Sequence, residues 1–174
     1  MTRRGFCVLM LGPPLRAQLA KDAGPPPGLQ AKLRPAPKYD LGALPPQQRT
    51  GGDKSQLDAI GKHRPLPPSA LGKGKWDKLP DGRKVWRLAI QSTAAVGLRI
   101  HFEKFDVGAG SVWLYDADAR ICGPYSGKGR DGTGSFWSDT VFAAIATVEY
   151  LPAKDKPSKG APPFQIGEIT HLFS

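Results

Sequence analysis

From Val85 onward oily and polar residues alternate almost one for one, and that rhythm restricts what the chain can fold into more than any other feature. In RKVWRLAIQS, Trp86, Leu88 and Ile90 share a face; in AVGLRIHFE, Val96, Leu98, Ile100 and Phe102 share one, with Gly97, Arg99, His101 and Glu103 opposite. Successive side chains of an extended backbone point to opposite sides, so this spacing makes half-buried strands, whereas a helix would bring back its apolar residues every three or four positions. Ser92-Thr93-Ala94 between the two segments predicts antiparallel neighbours, and FDVGAG reverses the chain again before SVWLYD. ARICGPY, SFWSDTV, AAIATVEYLP and PFQIGEITHLF continue the series. The expectation is an all-β domain over residues 75–174, an antiparallel β-sandwich, jelly-roll-like, of about seven or eight strands.

Composition separates that region from the rest. Residues 1–82 hold 13 of the 18 prolines but only three aromatics, Phe6, Tyr39 and Trp76. Residues 21–74 run through PPPG, RPAPK, LPPQQRTGG and RPLPP with no apolar period, which predicts a flexible Pro/Gly/Lys-rich linker or pro-segment, with one helical turn around Lys54 to Ile60. Residues 1–20 set Arg3 and Arg4 before an apolar run from Phe6 to Leu11 and are expected to be a signal peptide, cleaved after Ala17 or Ala20. A secreted location follows, with no membrane anchor once the signal is removed. Cys122 would then be the one remaining cysteine, expected to be a buried small hydrophobe, with an intermolecular thiol as the alternative.

The net charge of +10 lies mostly in the first part: 14 Lys/Arg stand against 6 Asp/Glu before position 83, and 11 against 9 after it. The basic residues are spread singly among prolines and do not gather beside aromatics that could stack on bases, so nucleic acid is not expected as a partner. Gly127-Lys128-Gly129-Arg130-Asp131-Gly132 matches G-x-G-x-x-G. That pattern binds a pyrophosphate only where a strand leads in and a helix opens from it. Here Ser135 to Trp137 is aromatic and polar, so the stretch reads as a glycine turn, and no cofactor is expected.

The residues offer little catalytic chemistry. His63, His101 and His171 have no recognisable nucleophile setting beside them, since neither G-x-S-x-G nor Gly-Asp-Ser-Gly-Gly occurs. They read as surface or satisfied histidines. Asp116 and Asp118, with Asp131 and Asp139, could suit calcium, but Asp-x-Asp at a strand end is equally a hairpin turn, and no metal site is assigned. The remaining signal is aromatic. Trp113 and Tyr115 lie opposite Val112 and Leu114, and Tyr125, Phe136 and Trp137 flank the glycine turn. Trp113, Tyr115, Tyr125 and Trp137 are therefore the candidate binding residues of an exposed face for a glycan or a protein, although burial in the core is the alternative.

The stretches Asp81-Gly82 with Val85-Trp86-Arg87-Leu88, Leu98-Arg99-Ile100-His101-Phe102, Val112-Trp113-Leu114-Tyr115, Gly123-Pro124-Tyr125, Phe136-Trp137, Val148-Glu149-Tyr150 and Ile169-Thr170-His171 together resemble the non-catalytic N-terminal domain of secreted bacterial trypsin-like serine peptidases of the lysyl endopeptidase-like group. The resemblance covers about Trp76 to Phe173. It implies a β-sandwich accessory module without a catalytic triad, whose peptidase acts in trans or is lost from this chain. Folding assistance, targeting, or binding of a substrate or partner are the functions it implies. An extracellular carbohydrate- or surface-binding module is the alternative.

Overall fold

The computed structural model describes residues 24–45 and 60–173. The signal expected at 1–20 and most of the helical turn expected around Lys54 to Ile60 lie outside the described residues. Within them are ten strands: β1 (Lys38–Ala43), β2 (Gly61–Pro65), β3 (Lys75–Lys78), β4 (Lys84–Thr93), β5 (Gly97–Glu103), β6 (Gly108–Tyr115), β7 (Ile121–Gly127), β8 (Phe136–Trp137), β9 (Ile145–Leu151) and β10 (Gln165–Leu172). The only helical elements described are a single turn, α1 (Pro27–Gln30), and a 3-10 helix (Pro68–Lys73).

The strands form two sheets, as the alternation predicts. One runs β1-β4-β9-β6-β7, with β3 also paired to β4; the other runs β2-β10-β5-β8. Every pairing is antiparallel except β1 with β4. One edge of β4 is shared in succession, β3 taking Lys84 to Arg87 and β1 taking Ala89 to Thr93, while β9 takes the other edge. Leu88, Ile90, Val112, Leu114 and Val148 of the first sheet are sealed against Leu98, Ile100, Phe102, Ile166 and Ile169 of the second. Phe164, in the loop before β10, plugs one end of this core. Its ring centroid lies 5.4 Å from that of Phe102, 5.6 Å from Phe105, 5.8 Å from Trp86 and 5.9 Å from Tyr150.

Two expectations need correction. Ser92-Thr93-Ala94 does not join hairpin neighbours, because β4 belongs to the first sheet and β5 to the second. The turn is a corner: Ala94 takes a positive φ of 66° and Ala95 N donates to Ser92 O at 3.1 Å. Crossing there lets the apolar faces of β4 and β5 meet across the core, which side-by-side pairing would not.

The second correction concerns the linker drawn over 21–74. Its described parts, 24–45 and 60–74, belong to the sandwich: β1 extends one sheet and β2 the other, and the 3-10 helix buries Ala70. These stretches lack a periodic apolar pattern because their contribution is mainly backbone pairing, which composition does not report. Residues Gly24 to Pro37 also act as a strap across the outer face of the first sheet. Arg87, Glu149 and Trp113 stand in register on β4, β9 and β6 and form a row across that face. The strap crosses the row: Trp113 Nε1 donates to Gly24 O at 3.2 Å, Gly28 N donates to Glu149 Oε1 at 2.6 Å, and Arg87 Nη2 donates to Arg34 O at 2.8 Å.

Candidate functional site

The strap decides the fate of the candidate binding face. Trp113 and Tyr115 are 1 % and 5 % exposed, so the row of rings expected to stack on a ligand is instead the underside of the strap. The Tyr115 hydroxyl donates to Glu149 Oε2 at 2.7 Å, and burial pushes its pKa up. Tyr125 is also buried, packed on Phe102 and Phe136; its hydroxyl donates to Asp139 Oδ2 at 3.0 Å and accepts from Asp139 N at 2.9 Å. Of the four candidates, Trp137 alone remains partly open to solvent.

Trp137 organises the outer face of the second sheet. It stands beside His101 on β5, their ring centroids 4.8 Å apart and their planes at 31°, and its indole also meets the edge of His63 on β2 at 5.0 Å. Because β10 lies between β2 and β5, a ring that touches both imidazoles must lie across the sheet. Arg99 shares this face, with its guanidinium carbon 5.7 Å from the Trp137 centroid. Its Nε donates to Ser138 O at 3.2 Å, while its two terminal nitrogens make no hydrogen bond among the described residues. Glu168 lies 3.5 Å from His63 Nδ1. Towards the strand ends the face dips into a groove of about 620 Å³, lined by Ile60, His63, Arg99, Trp137, Thr170 and Leu172. The dip has a sequence cause, because Gly61 and Gly97 face each other across Leu172, and a Cβ on either would press against that leucine at 2.7 and 3.0 Å.

Two serine–histidine contacts that no sequence motif announces bear on the chemistry. Ser92 and His171 are both buried, with Oγ 2.7 Å from Nδ1, and Arg64 Nη1 donates to the same Oγ at 2.6 Å. A cation donating to the hydroxyl oxygen draws electron density from it, so this pair ties the two sheets and is a poor nucleophile. On the surface, Ser135 Oγ lies 3.3 Å from His101 Nε2, and His101 Nδ1 lies 3.4 Å from Glu103 Oε1. The order is that of a Ser-His-Glu triad, but the nearby amides are committed: Ser135 N donates to Thr133 Oγ1 at 3.2 Å and Gly134 N to Lys128 O at 2.8 Å. They cannot also stabilise an oxyanion. Neither pair could be found in the sequence, because each is made by residues far apart along the chain.

The glycine stretch leads from β7 into β8 and opens no helix, as its aromatic sequel predicts. Gly129, at φ +85°, sits where any Cβ would strike the Phe136 ring. Arg130 Nη2 pairs with Asp139 at 2.5 Å and holds that carboxyl below its ordinary pKa. Asp116 is no cation ligand in this arrangement, since Oδ1 accepts from Asp118 N and Arg120 N, and Oδ2 pairs with Arg120 Nε at 2.6 Å. No group of three metal-ligating side chains occurs among the described residues. Cys122 is half-buried, not fully enclosed as expected; burial raises its pKa and keeps it a thiol. A second hollow, of about 830 Å³, opens at the other end of the sandwich between the 3-10 helix and Phe164, lined by Leu71, Trp86 and Ile166 with Glu103 and Lys104 among its polar groups. No family model matches the chain, and no curated protein matches it.

Proposed function

We propose that this chain is a non-catalytic accessory module of a secreted trypsin-like serine peptidase, acting by recognition of a protein partner. The observation that carries the reading is the groove at Trp137. It sets an indole beside a guanidinium whose two terminal nitrogens make no hydrogen bond among the described residues, the pairing of tryptophan and arginine that supplies hot spots at protein interfaces, with His63 and His101 packed on the indole. The strand stretches that resemble the accessory domain of that peptidase group support the partner class. The commitments of Ser92 and of the amides around Ser135 argue against bond cleavage by this chain. The carbohydrate alternative loses its support with the burial of Trp113, Tyr115 and Tyr125, because a lone tryptophan already stacked on His101 is a poor sugar platform.

The test is to refold a lysyl-specific trypsin-like peptidase domain with and without the full chain. The expected result is a one-to-one complex by size-exclusion chromatography with light scattering, or a higher yield of active peptidase. The chain alone is expected to release no product from a lysyl ester and to take up no fluorophosphonate at Ser92 or Ser135. Activity of the chain alone that a serine-directed inhibitor abolishes would overturn the reading, as would the absence of any complex or effect on yield.

A further inference from the structure

The five large apolar side chains that are exposed among the described residues, Ile60, Val96, Ile121, Phe142 and Ile145, all lie at one end of the sandwich. The hydrogen bonds show the grouping. Phe173 N donates to Ile60 O, Val96 N to Leu172 O, Ser92 N to Ala144 O, and Arg120 Nη2 to Phe142 O beside Ile121. Scattered exposed apolar residues are ordinary, but a gathered set marks a contact surface. The groove opens onto this end through Ile60, which lines it, while Ile121 and Ile145 stand opposite Tyr115 and Gln91 on the outer face of the other sheet.

We propose that the groove holds an extended acidic segment of a partner protein, with a carboxylate on Arg99 and an aliphatic side chain two residues away on Leu172 and Ile60. This rests on the reading that the chain works by recognition. Charge complementarity names the occupant: Arg99 is the only fully charged side chain lining the groove and no acid lines it, Asp139 standing outside the lining although it feels the Arg99 charge, and Nε held by Ser138 O, with Cζ 5.7 Å from the Trp137 centroid, leaves the terminal nitrogens as an open fork. A carboxylate matches such a fork with two parallel hydrogen bonds. Spacing names the sequence. Arg99 pairs with Thr170 and Gly97 with Leu172, so the cation and the Leu172 side chain are two strand residues apart, about 7 Å, which an extended peptide spans between residues i and i+2. The aliphatic part of the groove favours a peptide over a sugar acid, since Ile60 and Leu172 offer hydroxyl groups no partner.

The experiment measures binding of the full chain to fluorescent peptides carrying Leu-Ser-Glu or Glu-Ser-Leu in an alanine background, each beside its Gln counterpart and beside a version ending in a free carboxylate after Leu-Ser. The expected result is that the internal Glu peptides, in one of the two orders, bind at least about tenfold more tightly than the Gln peptides, the scale of one hydrogen-bonded charge pair. Arg99→Gln removes that difference, Arg99→Lys keeps only part of it because the fork is lost, and Lys156→Gln on a distant loop changes nothing. Tighter binding by the free-carboxylate version overturns the internal acidic segment and assigns the fork to a chain terminus. Thermal melts of the variants that match the unaltered chain exclude misfolding as the cause. Equal binding of Glu and Gln peptides, no binding, or preferential binding of an oligouronate overturns the proposal. If Arg99→Gln leaves a peptidase complex intact, this site is wrong while the accessory function stands; if no complex forms with any variant, the accessory function itself has failed.

Discussion

At the scale of single residues, Glu149 shows how a charge is kept in an interior. It is fully buried on β9, yet both oxygens are occupied, Oε1 by Gly28 N and Oε2 by the Tyr115 hydroxyl. Arg87 stands in register on β4 but gives its guanidinium to Asp77 at 2.7 Å and to Arg34 O, so no cation is bonded directly to the glutamate. Burial therefore dominates, and the carboxyl titrates above its ordinary value of 4.5. A raised folded pKa means that the folded state holds a proton the unfolded state has already released. The stability this group contributes is complete below about pH 4.5 and is lost as pH rises through the folded value. Glu149→Gln is expected to remove that loss, so between pH 4 and 7 the melting temperature of the unaltered chain should fall relative to that of the variant. Paired melts across that range check the sign, and parallel curves would contradict it.

Among the elements, the strap is the one whose role composition concealed. It contains one turn of helix and no regular apolar pattern, and its hold on the sheet depends on close approach. A Cβ at Gly28 would stand 2.6 Å from Glu149 Oε2, so alanine there must lift the strap or displace the carboxylate. Gly28→Ala is expected to cost about 1 to 3 kcal/mol, the usual range for overpacking a tight site. Trp113 should become accessible at the same time. Chemical denaturation gives the first quantity, and acrylamide quenching of tryptophan fluorescence, compared with the unaltered chain, gives the second. The β4 to β5 corner carries a related lesson. Both strands are plain in the alternation of Trp86, Leu88 and Ile90 and of Leu98, Ile100 and Phe102. Their separation into different sheets depends on Ala94 and on Ser92 reaching His171 across the core.

For the molecule as a whole, the boundary drawn at residue 75 cuts through the fold. Removing everything before it would strip β2 from the edge of β10, β1 from β4, and the strap from Trp113, Tyr115 and Glu149. A fragment of residues 75–174 is expected to lack a cooperative melt and to bind 8-anilinonaphthalene-1-sulfonate, while residues 24–174 melt in one step like the full chain. Circular dichroism and dye fluorescence decide the matter, and a cooperative melt of the shorter fragment would show the added strands to be dispensable.

Local pattern determined the strands from Val85 onward, their apolar faces and the reading of the glycine stretch as a turn. Those follow from the two-residue period of an extended backbone and from the lack of a helix after Gly132, both properties of neighbours in the chain. Which sheet each strand joined, and what covered its second face, was decided only in three dimensions. Trp113 alternates with Val112 and Leu114 as a surface residue would, and it is buried because Gly24, 89 residues earlier, lies over it. Ser92 meets His171 across 79 residues and Gly28 meets Glu149 across 121. A side chain's period states which face it shares, but exposure depends on what the rest of the chain lays on that face. That is why three of the four aromatic candidates proved to be interior, and why the groove beside the fourth, built by Arg99, Leu172 and two facing glycines on separate strands, became visible only once the strands were side by side.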